Sequence, residues 1–230
     1  MRAIVFDFFG TLTDPAAERD RLAAFAATAR SLGVPVDRFT AAMTGSFPRR
    51  IVGAHGGTRD TLLAMARSCG AEPNDDRLTA AVSIHHAGAE IVRRPRPEAL
   101  GVLDGLRAEG YLLGLLSDCS SELVEAWPAT PYASRIDVPV FSWRERCRKP
   151  DPRLYATVAE RLGVRAAECW FVGDGGSREL DGARRAGMRP VLVTNVAYPD
   201  ARQLRTDPDA FLPDHRIPDL SALPALFTHP

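Results

Sequence analysis

Five residues with chemically reactive side chains stand at the ends of apolar stretches of the sequence or shortly after them. They are Asp7, Ser117, Asp118, Lys149 and Asp174. A carboxylate can act as a nucleophile or bind a hard metal ion, a hydroxyl can hydrogen-bond a reacting group, and an ammonium can stabilise developing negative charge. Each residue alone has a common structural role, such as capping a helix. Their chemistry therefore depends on whether the fold brings them together.

The apolar stretches themselves predict strands. They are residues 3–9, 111–117, 138–142, 169–174 and 190–194. Continuous apolar runs of this length are typical of central strands in a parallel sheet that is covered on both faces. A last edge strand and a short helix are expected in the segment "HRIPDLSALPALF".

Amphipathic segments with helical spacing lie between the predicted strands, at residues 97–110, 151–163 and 177–187. This alternation predicts an α/β protein with a doubly wound parallel sheet. In such sheets, ligands bind beyond the carboxyl ends of the strands. The five reactive residues are therefore expected to converge on one edge of the sheet.

Residues 15–95 break the alternation, because they show helical periodicity and no convincing strand. We interpret this stretch as a helical insertion after the first strand. The predicted division is an α/β core made of residues 1–14 and 96–230 and a helical domain made of residues 15–95.

Composition excludes several classes of function. The 230 residues contain 29 Lys and Arg and 29 Asp and Glu, so a nucleic-acid or anionic-membrane surface is not expected. No apolar run approaches the roughly 20 residues that a membrane helix needs, and the first strand starts too early for a secretion signal. We expect a cytoplasmic protein, a monomer or homodimer, that acts on a small molecule.

Four segments carry a resemblance to a known family. They are "DFFGTL", "LLSDCS", "RKPDPRLY" and "VGDGGSRELDGARRAGM". In order, context and approximate spacing they are similar to the four motifs of the haloacid dehalogenase superfamily. The resemblance covers essentially the whole chain. It implies a Rossmann-like core, and it implies that the helical insertion is a mobile cap.

The resemblance also implies catalytic roles for four residues. Asp7 would be the nucleophile that forms an aspartyl intermediate. Thr11 would orient its loop, and Ser117 would hydrogen-bond the transferring group. Lys149 would keep Asp7 ionised and neutralise charge in the transition state.

A Mg²⁺ site is implied at the same place. Its ligands would be Asp7, Asp174, Glu179 and the main-chain carbonyl of Phe9, which are the hard oxygen donors that Mg²⁺ prefers. Glu179 also has a structural interpretation, since an acidic residue is favourable at the N-terminus of a helix.

Phe9 departs from the family pattern, because phosphatases of this superfamily usually have an aspartate there as general acid and base. Three interpretations remain open. The first is a Mg²⁺-dependent hydrolase of a small phosphorylated metabolite. The second is a metal-independent 2-haloacid dehalogenase, because those enzymes carry an aromatic residue at this place and release halide without a proton. The third is a weakly active or non-catalytic metabolite-binding protein.

The phosphonate-cleaving branch of the superfamily is not expected, because it needs a lysine in the cap and residues 15–95 contain none.

Substrate contacts are predicted from the insertion and from the second motif. The segment "SFPRRIVGAHGGTRD" combines Arg49, Arg50 and His55 with glycines, a composition suited to a loop that contacts an anion. Asp118 is expected to contact the substrate from the core. His55 or Asp14 are candidates to replace the missing acid.

Overall fold

Six parallel strands form one sheet in the computed structural model, which describes residues 2–198, 200 and 205–227. The strands are Ala3–Phe6 (β1), Leu112–Ser117 (β2), Val138–Phe141 (β3), Cys169–Gly173 (β4), Arg189–Val193 (β5) and His215–Ile217 (β6). Their order across the sheet is β3-β2-β1-β4-β5-β6, which is the order of a Rossmann-like sheet. The predicted fold class is thereby confirmed.

Ten α-helices accompany the sheet within the described residues. They are Asp20–Leu32 (α1), Val36–Gly45 (α2), Phe47–Arg50 (α3), Thr58–Ser68 (α4), Asp75–Val92 (α5), Ala99–Ala108 (α6), Ser121–Ala126 (α7), Ser142–Glu145 (α8), Pro152–Leu162 (α9) and Glu179–Arg185 (α10). Near the C-terminus, two 3₁₀ turns, Leu220–Ala222 and Pro224–Leu226, stand where a short helix was predicted. No described helix combines the length and the apolar character needed to cross a membrane.

Both faces of the sheet are buried, which explains the continuous apolar runs. In β1, Ile4 belongs to the hydrophobic cluster on one face and Val5 to the cluster on the other. Leu103 of α6 packs in the first cluster, and Val158 of α9 packs in the second. Complete burial of each such side chain contributes roughly 1.5–3 kcal/mol relative to exposure.

Residues 15–92 contain one 3₁₀ turn and the helices α1 to α5, joined by short loops, and they have a hydrophobic cluster of their own, which includes Phe25, Phe39, Met43 and Leu62. We refer to residues 15–95 as the helical segment. The chain leaves and re-enters the sheet layers at neighbouring points, since Thr13 and Pro95 form an isolated antiparallel bridge.

A second set of contacts fixes the far side of the helical segment to the sheet layers. Thr58 Oγ1 lies 2.8 Å from Ser121 Oγ, and Thr58 N donates to Glu125 at 2.9 Å. Ser142 Oγ donates to the carbonyl of Ile51 at 2.7 Å. The helical segment is therefore held at two places, and a cavity lies between them.

Candidate active site

The site forms where the strand order reverses. The chain runs from β1 outward to β2 and β3, and then returns to place β4 on the opposite side of β1. The crevice at such a switch point is where open α/β sheets bind ligands. Asp7 follows β1 and Asp174 follows β4, so these two carboxylates flank the crevice. The main chain joins them, because Asp7 N donates to the carbonyl of Val172 at 2.9 Å.

Both carboxylate oxygens of Asp7 have partners. Thr11 Oγ1 donates to Oδ2 at 3.0 Å, and Lys149 Nζ donates to Oδ1 at 2.6 Å. All three side chains are buried. The carboxylate is therefore held in one orientation toward the crevice.

Lys149 is the only lysine of the chain, and its side chain is 3% exposed. In addition to Asp7, Nζ contacts Glu179 Oε2 at 2.5 Å. Burial alone would lower the pKa of Lys149, but the charges of Asp7 and Glu179 raise it well above its ordinary value. An ammonium whose charged form these two carboxylates stabilise thus lies between them.

Asp174 and Glu179 complete a cluster of three carboxylates. Asp174 Oδ1 accepts from Gly176 N, and Glu179 Oε1 accepts from Gly175 N, each at 2.9 Å. Carboxylate oxygens of Asp7, Asp174 and Glu179 all lie within 4.8 Å of one another. Burial and the nearby charge of Asp7 raise the pKa of both Asp174 and Glu179. A hard divalent cation fits this donor set, because it would relieve the repulsion among the carboxylates.

Two glycines make room for this cluster. A Cβ on Gly173 would overlap Glu179 Oε1, and a Cβ on Gly10 would lie 2.9 Å from Asp174 Oδ2. Gly10 also has a φ of +76°, which disfavours other residues. Gly10 and Gly173 therefore have a packing role in the site.

Residues 205–209 support the loop that carries Asp174, a feature that sequence reasoning missed. Arg205 Nε donates to Asp174 Oδ2 at 3.1 Å. The carboxylate of Asp209 accepts from Leu180 N at 2.9 Å and from Asp181 N at 3.0 Å, at the start of α10. These contacts join residues about thirty positions apart, so no local spacing in the sequence indicates them.

A cavity of about 530 Å³ lies between the sheet edge and the helical segment. On the side of the sheet it is lined by the acidic and basic residues Asp7, Asp118, Lys149, Asp174, Glu179 and Arg205. On the other side the lining includes Glu18, Arg21, Phe25, Phe47 and Arg50, and Glu122 of α7 lines the cavity from the sheet layers. The predicted convergence of Asp7, Asp118, Lys149 and Asp174 is therefore present in the structure.

The predicted substrate contacts are distributed unevenly. Arg50 is buried and lines the cavity, whereas Arg49 is exposed and His55 is half-buried. Neither Arg49 nor His55 is among the described residues that line the cavity. Burial lowers the pKa of His55. Ser117 is fully buried and also lies outside that lining.

The other candidate for the missing acid, Asp14, has structural partners. Its carboxylate accepts from Ala16 N at 2.9 Å and pairs with Arg94 at 3.0 Å. It is not one of the described residues around the cavity.

Phe9 lines the cavity beside Asp7. The guanidinium of Arg21 lies 5.0 Å from the centroid of its ring, and Glu18 binds Arg21 through two hydrogen bonds of 2.9 Å. Arg21 and Glu18 occupy ordinary positions of a helical pattern, so this arrangement has no signal in the sequence. A guanidinium thus lies against the aromatic ring of Phe9 at the edge of the cavity.

Comparisons with known proteins agree with this geometry. A family model described as haloacid dehalogenase-like hydrolase matches residues 1–187. A glyceraldehyde 3-phosphate phosphatase of Methanopyrus kandleri is 31% identical over 66% of this chain and 65% of its own length. The (S)-2-haloacid dehalogenase 1 of a Pseudomonas species is 30% identical over 56% of this chain and 55% of its own length. The matches thus span about half to two thirds of these curated relatives.

Structural similarity extends over the whole chain. The L-2-haloacid dehalogenase of Xanthobacter autotrophicus is 25% identical, with a TM-score of 0.67, and the match covers 100% of this chain and 99% of that protein. Phosphatases and dehalogenases are therefore both among the proteins that this chain resembles.

Proposed function

The chain belongs to the haloacid dehalogenase-like hydrolases, and on this premise we propose that it hydrolyses a small substrate through a covalent intermediate on Asp7. The observation that carries the proposal is the buried pairing of Asp7 with Lys149 at 2.6 Å. A carboxylate that a buried ammonium holds at the edge of a cavity is a suitable nucleophile.

We assign a separate role to each side chain of the site. Asp7 attacks the substrate, and Thr11 together with Lys149 keeps its carboxylate oriented. Lys149 also stabilises the negative charge that develops on the transferring group. Residues 15–95 act as a cap that excludes water, whereas Ser117 is buried outside the cavity lining and is given no direct role.

The first candidate activity is Mg²⁺-dependent hydrolysis of a small phosphorylated metabolite, supported by the cluster of three carboxylates. Asp7, Asp174, Glu179 and the main-chain carbonyl of Phe9 would hold the ion. When bound, Mg²⁺ would neutralise charge on the phosphoryl group. Phe9 provides no proton for the leaving oxygen, and the loss of a positioned acid costs on the order of 10²- to 10⁴-fold in rate. The preferred substrates therefore have good leaving groups.

The second candidate activity is dehalogenation of a 2-halo acid, and the side chain of Phe9 favours it. Halide leaves as an anion and needs no proton, so an apolar ring at this position does not lower the rate of dehalogenation. In this reaction Asp7 attacks carbon, and the ester that results is hydrolysed by water.

Product release distinguishes the candidates. Phosphate and halide release are measured on panels of phosphate esters and 2-halo acids, with added Mg²⁺ and with EDTA. Phosphate release that EDTA abolishes is expected for the first candidate. Halide release that EDTA leaves unchanged would exclude the phosphatase activity and support the dehalogenase activity. An absence of turnover on both panels, with ligand binding unchanged in Asp7→Asn, would contradict both and support a binding protein.

A further inference from the structure

Arg50 is a buried cation on the wall that the helical segment gives to the cavity. It is 4% exposed. Its Nε donates to Ser46 Oγ at 3.2 Å, one terminal nitrogen donates to Ser120 Oγ at 2.7 Å, and the other donates to the carbonyl of Met43 at 3.0 Å. All three of these acceptors are neutral.

No carboxylate oxygen of the described residues lies within 4.0 Å of this guanidinium, in contrast to Arg21 in the same wall, which Glu18 neutralises directly. The half-buried Glu122 reaches Arg50 only through a hydroxyl, since Ser120 Oγ donates to Glu122 Oε1 at 3.1 Å. A guanidinium has five N–H donors, so two of those on Arg50 stay available.

A buried charge without a direct counter-charge is costly, and an anionic ligand would relieve that cost. The flat fork of a guanidinium matches the two oxygens of a carboxylate. Phe25 is an apolar neighbour in the cavity lining, and the ring centroid of Phe47 lies 5.7 Å from the guanidinium carbon, a cation–π contact that does not neutralise the charge. The cavity volume of about 530 Å³ suits a small molecule that reaches both Arg50 and Asp7.

We propose that Arg50 binds a carboxylate of the substrate, so that the substrate class is a small organic acid that carries its scissile phosphoryl or halo group at the Asp7 end. This inference rests on the proposed function, because it assumes that Asp7 is the reacting residue. Ser120 and Glu122 are positioning residues. The Ser120 hydroxyl donates to Glu122 and accepts from Arg50, which fixes the direction in which the guanidinium faces.

Matched substrate pairs test the proposal. Phosphoglycolate is compared with ethyl phosphate, and 2-chloropropionate with 2-chloropropionamide, so that only the carboxylate differs in charge. In Arg50→Gln, kcat/KM for the acids is expected to fall about 10- to 100-fold, chiefly through KM, in line with the loss of a charge-assisted hydrogen bond. The partners that lack a carboxylate, ethyl phosphate and 2-chloropropionamide, are expected to change less than about threefold.

Two further variants serve as controls. Arg50→Lys keeps the charge and is expected to restore part of the preference for acids. Arg30→Gln removes an exposed arginine of α1 and is expected to change nothing. Equal losses on both members of each pair in Arg50→Gln would overturn the proposal while leaving the proposed function intact.

Binding provides an arm that does not depend on turnover. The affinity of glycolate for the wild type and for Arg50→Gln is measured by calorimetry, after circular dichroism has shown that both are folded. Weaker binding of glycolate to Arg50→Gln supports the carboxylate site, whether or not any of the four substrates is hydrolysed. A failure to hydrolyse all four would count against the proposed function and not against the carboxylate site. Equal affinity overturns the carboxylate site.

Discussion

Arg205 donates a hydrogen bond from Nε to Asp174 Oδ2 at 3.1 Å, so a guanidinium from beyond β5 contacts one of the three clustered carboxylates. Lys149 contacts the other two, Asp7 and Glu179. Three negative charges are thus met by two positive charges. With a divalent ion bound, the ion, Lys149 and Arg205 would together carry one positive charge more than the three carboxylates neutralise. With the ion bound and Arg205 removed, the positive and negative charges would be equal.

Replacing Arg205 by glutamine is therefore expected to tighten divalent-metal binding at least about tenfold, because a nearby positive charge repels the ion strongly in a partly buried site. Binding of Mn²⁺, followed by electron paramagnetic resonance, measures this directly. Arg205→Lys should retain weak binding. Asp207→Asn is the control, since Asp207 pairs with Arg178 at an exposed position of the same stretch. Unchanged affinity in Arg205→Gln would contradict the charge argument.

Asp7→Asn is expected to abolish turnover with every substrate, because an amide is a poor nucleophile and its shape is otherwise conserved. Mass spectrometry of protein quenched during turnover should find a covalent adduct on Asp7 of the wild type and none in the variant. An adduct at another residue would refute the assignment of the nucleophile.

Phe9→Asp is expected to raise phosphate release and not halide release. The new carboxyl group would stand beside Asp7 and could protonate a leaving oxygen, which is worth on the order of 10²- to 10⁴-fold. Phe9→Asn has the same size without the proton and serves as the matched control. If both variants gain equally, the effect comes from space in the cavity and not from acid catalysis.

Stability is expected to depend on pH through His85. The side chain is 4% exposed, its Nδ1 lies 3.3 Å from Thr28 Oγ1, and its ring stacks on Phe25. Burial lowers its pKa to about 4, against the attraction of Glu122. Nearby Arg50, His86 and Arg21 act in the same direction as burial.

The unfolded chain takes up this proton near pH 6.5, while the folded protein resists it until about pH 4. The unfolded state binds more protons in this window, so stability falls as the pH falls through it, by up to about 3 kcal/mol. Urea unfolding at the two ends of the window measures the loss. His85→Gln should flatten this part of the profile, and His86→Gln should not. A profile unchanged by His85→Gln would contradict the assignment.

The sequence predicted the sheet well because both of its faces are covered. Ile4 and Val5 point to opposite clusters and are both fully buried, so β1 is an unbroken apolar run. The same run extends to residue 9, but the strand ends at Phe6. Beyond it, the carbonyl of Phe8 accepts from the N–H groups of Thr11, Leu12 and Thr13, which turns the chain into a loop whose apolar side chains imitate a strand.

The site was predictable only where the strands position it. Asp7 and Asp174 follow neighbouring strands, so their proximity follows from the topology. Arg21 and Arg205 reach the same cavity from segments whose distance to the sheet edge depends on how the helices and the C-terminal stretch pack. Such packing has no periodic signature in the chain, and these guanidiniums look like any other solvated arginine in the sequence.

The bridge between Thr13 and Pro95 has an evolutionary consequence. Because the helical segment departs and returns through adjacent backbone positions, a replacement of different length or helix number needs only the same two attachment points. The sheet and its carboxylates need not adjust. Recombination at residues 13 and 95 would therefore change which substrates are bound and leave the catalytic residues of the sheet edge as they are.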